Sequence, residues 1–133
     1  MKFAQSYLEN FSQVMTLLDK KEISKTIELI HKIKVSKGRI FFLGVGGSAG
    51  NASHAVNDFR KITEIECYAP TDNVSELTAR INDEGWDTSI TEWLKISNLN
   101  KKDLLFIFSV GGGNLKKNVS INLVNAIKYG KKV

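Results

Sequence analysis

One local pattern occurs twice in this sequence and limits the fold more than any other feature. Arg39-Ile40-Phe41-Phe42-Leu43 runs into Gly44-Val45-Gly46-Gly47-Ser48-Ala49-Gly50. Asp103-Leu104-Leu105-Phe106-Ile107-Phe108 runs into Ser109-Val110-Gly111-Gly112-Gly113-Asn114. Both apolar runs lack polar alternation, so each is expected to be a strand buried on both faces, which calls for a parallel sheet covered by helices. Both glycine segments then lie at the carboxyl ends of strands, where ligands bind in open α/β sheets. Seven of the ten glycines sit in these two segments. Turn geometry alone explains that concentration poorly.

The flanking segments complete an α/β pattern. Phe3, Tyr7, Phe11, Val14 and Leu18 recur at helical spacing, as do Ile23, Ile27, Ile30 and Ile33, and Asp19-Lys20-Lys21 separates the two sets. An N-terminal helical hairpin is expected over residues 1–37, closed by Gly38 as a C-cap. Residues 38–133 form the α/β portion. A helix is expected from about Ala49 to Ile62, a short strand over Glu66–Ala69, a helix over Val74–Ile81 and a turn at Asn82-Asp83-Glu84-Gly85. A helix carrying Trp86, Ile90, Trp93 and Leu94 follows. Another, with Val119, Leu123 and Ile127 in phase, comes directly after the second glycine loop and stops at Gly130. The fold class is α/β and doubly wound, with all 133 residues in one domain.

Charge and composition exclude several functions. Lys101–Val133 holds seven lysines and one acid, Asp103, while the first 100 residues carry 12 basic and 13 acidic residues. A basic C-terminal third attracts phosphate or nucleic acid, although a solvated lysine-rich surface explains it as well. No aromatic residues interleave those lysines, so nucleic-acid binding is not expected. Cys67 is the only cysteine, which fits a reducing, cytoplasmic compartment. The start, Met1-Lys2-Phe3-Ala4, has no apolar core of a secretory signal. The stretch Ile40–Asn57 has no Asp, Glu, Lys or Arg, but its four glycines and its polar residues argue against a membrane span.

The first glycine loop suits an anion. Gly46 and Gly47 permit close backbone approach, the helix N-terminus offers free N–H groups, and Ser48 adds a hydroxyl. A glycine turn with Ser48 as the N-cap would account for this loop taken alone. Ala49 stands where a dinucleotide fingerprint has its third glycine, and no G-x-x-x-x-G-K-[ST] occurs, so no nucleotide cofactor is expected. Ser109, Gly111, Gly112, Gly113 and Asn114 repeat the arrangement, and two such loops on neighbouring strands suit one phosphorylated ligand. His54 and Asp58 share a helix face at i,i+4. They are a surface pair, an acid–base pair or metal ligands. Asn82 and Asp83 are turn residues or contacts to sugar hydroxyls, as are Asp72 and Asn73.

Together these motifs resemble the sugar isomerase (SIS) domain family, and within it the phosphoheptose isomerases. The resemblance rests on Gly44-Val45-Gly46-Gly47-Ser48, His54, Asn82-Asp83-x-Gly85, Ser109-Val110-Gly111-Gly112 and the run Pro70–Thr78. It implies a three-layer αβα sandwich of flavodoxin-like type around a parallel sheet. It implies a homotetramer in which the N-terminal helices pack between subunits. It also implies interconversion of sedoheptulose 7-phosphate and a heptose 7-phosphate through an enediol, in nucleotide-heptose biosynthesis. By this resemblance Ser48 and the Ser109–Asn114 loop hold phosphate and Asp83 contacts the sugar. His54 and Asp58 act in catalysis or, as in some members, at a zinc site. The family's glutamate is here Asp58, and its hydroxyl-rich phosphate loop has become Ser109-Val110-Gly111-Gly112. Family chains run on for roughly another 60 residues, enough for further strands and helices of a doubly wound domain. The expected domain is therefore incomplete on its C-terminal side. A non-catalytic SIS module that binds a sugar phosphate or a protein is the alternative.

Overall fold

The computed structural model describes residues 2–133. Its contacts divide the chain into two compact units, one up to His31 and one over Lys32–Val133. The first holds α1 (Lys2–Leu17) and most of α2 (Lys20–Val35). Asp19 starts α2 by accepting hydrogen bonds from the Lys21 and Glu22 N–H groups at 2.8 and 3.4 Å. No residue of α1 is buried, and the stripe of Phe3, Tyr7, Phe11 and Val14 is exposed along its length.

The second unit is built on three parallel strands. These are β1 (Ile40–Leu43), β2 (Cys67–Tyr68) and β3 (Leu104–Ile107), in the order β2-β1-β3. Ile40 pairs with Cys67 and with Leu104, and Leu43 with Ile107. All four residues of β1 are buried, as the unbroken apolar run requires of a central parallel strand. Alternate side chains enter different layers. Phe41 and Leu43 join Ile90 and Leu94 of α5 (Trp86–Ile96) and Leu123 and Ala126 of α6 (Ile121–Gly130). Phe42 instead meets Phe59, Phe106 and Phe108, with ring centroids 5.0–6.0 Å away. Phe59 opens a π-helical turn (Phe59–Thr63) that extends α3 (Gly47–Asp58). Helix α4 (Val74–Glu84) packs on α5. The result is the expected sandwich of helices, parallel sheet and helices. Cys67 is fully buried, and burial pushes its thiol up to about 11. The thiol is therefore protonated at neutral pH and is not a nucleophile.

Four details differ from expectation. Gly38 is not the left-handed cap of α2. Lys37 takes that role at φ 54, with Gly38 N–H donating to Ile33 O and Lys37 N–H to Lys34 O, a complete Schellman pair. Gly38 is glycine for another reason: a Cβ there would lie 2.0 Å from Lys102 O. Asn82 and Asp83 do not form a turn. They belong to the last turn of α4, and Gly85 alone, at φ 87, joins α4 to α5. Strand β2 is two residues shorter than expected. Finally, α6 does not follow the second glycine loop directly. Asn114 and Val119 first pair with each other in an isolated antiparallel bridge, so Val119 lies outside the helix.

Among the described residues, no helix is long and apolar enough to cross a membrane.

Candidate functional site

The strand order places the site. From β1 the chain moves to β2 on one side and later to β3 on the other, so the crevice between the carboxyl ends of β1 and β3 is a topological switch point. Both glycine loops leave the sheet there. Gly46 precedes α3 with φ 62 and ψ −127, a conformation open to glycine and strained for other residues. Gly44 has a different role. A Cβ on it would lie 2.3 Å from Ser48 O, so its absence lets the first turn of α3 close over the end of β1. Ser48 is then the second residue of α3 and not its N-cap.

On the other strand, Phe108 N–H donates to Leu43 O at 2.9 Å and carries the pairing into the loop. Ser109 Oγ accepts from the Gly112 N–H at 3.0 Å, which leaves the Ser109 hydroxyl proton free to donate outward. The two loops meet around a cavity of about 190 Å³ lined by Val45, Ser48, Ser109, Gly111, Ser120 and Leu123. Three serines from three segments line it. Ser120 is the N-cap of α6, in the left-handed region at φ 51, and its side chain makes no capping hydrogen bond. The sequence reading missed this residue. Its signal was a serine immediately before the periodic run Ile121–Leu123.

The structure therefore brings Ser48, Ser109 and Gly111 together. Gly46 and Gly47 shape the entry to α3 without lining the cavity, and Gly112, Gly113 and Asn114 line a separate groove. His54 Nε2 and Asp58 Oδ2 lie 3.2 Å apart, with the His54 side chain largely exposed. His54 lies six residues beyond Ser48, about 9 Å along the helix axis and outside the cavity wall. Asn82 and Asp83 lie on α4, with Asn82 Nδ2 donating to Asp83 Oδ1 at 2.8 Å, and they too are outside the cavity. Asp72 accepts a short hydrogen bond from Ser53 Oγ, which ties the end of β2 to α3.

Zinc takes four donors in closed sites and three protein donors in open ones. His54 and Asp58 supply two. Among the described residues no group of three or more His, Cys, Asp or Glu side chains is placed to hold a metal ion. The chain by itself does not fit zinc, and no chemical step is assigned to it.

The SIS domain model matches residues 2–133. The chain belongs to the SIS domain family. Among solved structures, this SIS chain is similar to phosphoheptose isomerase GmhA from Neisseria gonorrhoeae, with a TM-score of 0.83 and 26% sequence identity. The similarity covers 98% of this chain and 66% of that one, so the SIS domain described here spans just under two thirds of its relative's length. A sequence comparison with curated proteins finds no match.

Proposed function

We propose that the serine-lined cavity holds the phosphate of a sugar phosphate and that the assembled protein is an aldose–ketose isomerase. In this reading it interconverts sedoheptulose 7-phosphate and D-glycero-D-manno-heptose 7-phosphate. One observation carries the reading: Ser48, Ser109 and Ser120 line one cavity at the switch point between β1 and β3. Hydroxyls and loop amides at a helix N-terminus suit a phosphate dianion, and the similarity to a phosphoheptose isomerase supports the same assignment.

The reaction moves a proton between adjacent carbons through an enediol, so it needs one group that takes the proton and returns it. His54 fills that role in this reading, and Asp58, 3.2 Å away, orients its ring. The separation suits a long substrate. The first two carbons of an extended seven-carbon sugar lie on the order of 8 Å from the carbon bearing phosphate. With phosphate beside Ser48, the reacting carbons fall at the level of His54 along α3. The His54 side chain leaves the helix about 120° around from Ser48, so the substrate in this reading crosses the helix face between them. Asp83 contacts the sugar hydroxyls in the assembled protein. Assembly is through the exposed apolar stripes of α1 and α2, as a homotetramer; sedimentation showing only single chains at micromolar concentration would remove that part.

The test is NMR of sedoheptulose 7-phosphate incubated with the purified chain. Heptose 7-phosphate signals are expected to grow. His54→Ala should slow them by about 10²–10⁴-fold, the usual contribution of a general base, with the circular dichroism spectrum unchanged. Equal turnover in the variant would take His54 out of the reaction. A second reading has its own support. Because His54 and Asp58 lie outside the cavity wall, the chain also fits a binding module without catalysis. Substrate signals that broaden without conversion would identify it.

A further inference from the structure

A second anion site follows from the lysines of the C-terminal third. Loop residues 112–116, α6 and Lys131 line an open groove of about 530 Å³ that shares no lining residue with the serine cavity. Three lysines line it: Lys116 from the loop, Lys128 from α6 and Lys131 at the end of that helix. No acidic side chain lines the groove. Among the described residues, none of the three lysines has a carboxylate oxygen within 4.0 Å.

Ordinary helix chemistry explains only part of this. Lys128 and Lys131 stand one turn apart at the C-terminus of α6, where the helix dipole favours cations. Lys116 has no such reason to be there. The Asn114–Val119 bridge folds the loop back, Lys117 N–H donates to Asn114 Oδ1 at 3.0 Å, and Lys116 is brought over the same groove. Gly113 permits that approach, because a Cβ on it would sit 2.7 Å from Val124 Cγ2. Three exposed like charges around one groove set up a positive potential that attracts an anion.

We propose that this groove binds a diphosphate group, free or as part of a larger molecule. One phosphoryl group carries about −1.5 to −2 at neutral pH, so a single phosphate leaves positive charge over and two linked phosphates match the three lysines. The volume falls within the range of small-molecule sites. No aromatic residue lines the groove, so it has no platform for stacking the bases of a single-stranded nucleic acid. The proposal is independent of the isomerase reading, because it uses neither the serine cavity nor His54.

The test is calorimetric titration of the full chain with inorganic pyrophosphate, orthophosphate and ADP at low salt. Pyrophosphate is expected to bind at least about tenfold more tightly than orthophosphate, and Lys116→Gln with Lys128→Gln to weaken it by about tenfold or more. Both lysines are exposed, so the double variant keeps the fold. Ser48→Ala with Ser120→Ala, neither of which lines the groove, should leave pyrophosphate binding unchanged. ADP equal to pyrophosphate assigns recognition to the diphosphate alone, and tighter ADP binding assigns a nucleotide. The proposal is overturned by absence of pyrophosphate binding, by equal affinity for orthophosphate, or by binding that survives the lysine changes and is lost with the serine changes.

Discussion

Asp103→Ala should lower the unfolding free energy by about 3–5 kcal/mol, the cost of breaking a buried ion pair by removing one partner. The Asp103 side chain is 2% exposed and receives five hydrogen bonds. Three come from Arg39, through its backbone N–H and two guanidinium nitrogens, and two from Asn100. Arg39 also donates to the Ser97 and Asn98 carbonyls. The cluster therefore ties the start of β1, the end of α5 and the start of β3 into one corner. Alanine would leave the Arg39 charge without its carboxylate and the Arg39 and Asn100 backbone N–H groups without their acceptor. Domains of this size are stable by about 5–15 kcal/mol, so the loss is a large share of the total. Asp103→Asn keeps the shape and some of the acceptors, and should cost less than the alanine change. Urea denaturation of the three proteins checks this. A loss under about 1 kcal/mol for Asp103→Ala, the range of exposed pairs, would show that the corner is held by packing alone.

How much of this was legible in the sequence depends on what each element relies on. Strand β1 was legible because Ile40–Leu43 has no polar residue, and only a doubly covered strand accommodates that. The His54–Asp58 pair was legible because i,i+4 spacing is local geometry. Features set by distant partners were not. Gly38 looks like a helix cap, yet its need for glycine comes from Lys102, 64 positions further along the chain. The run Asn82–Gly85 has turn composition, but α4 continues through Asn82 and Asp83 because Gly85 alone makes the corner. The second loop carries the signal of the first, with a different continuation. Its cross-bridge between Asn114 and Val119 delays α6, and this makes Ser120 the third serine of the cavity. The strands and the crevice between the two glycine loops were thus readable, and the full set of residues lining it was not.

Gly44→Ala should weaken sugar phosphate binding by about 10²-fold while Gly50→Ala, six residues away, should strengthen the fold. Neither glycine has a positive φ, so conformational freedom does not separate them. Space does. A Cβ at Gly44 would sit 2.3 Å from Ser48 O, 2.4 Å from Ser48 C and 2.8 Å from Ala49 N, all backbone atoms of the first turn of α3. No side-chain rotation relieves that contact. The turn has to move outward by roughly an ångström, and Ser48 moves with it away from Ser109 and Ser120. Misplacement by about 1 Å typically costs 10²-fold where geometry is critical. The expected result is a Kd for sedoheptulose 7-phosphate raised by about that factor, with about 1–3 kcal/mol of lost stability from overpacking. At Gly50 a Cβ meets nothing within 4 Å, and the residue lies inside α3. Alanine there should add up to about 1 kcal/mol through helix propensity and leave binding unchanged. Thermal denaturation with and without ligand reads both effects in one experiment. Wild-type affinity in Gly44→Ala would mean that the ligand does not depend on where α3 begins, and would remove Ser48 from the site.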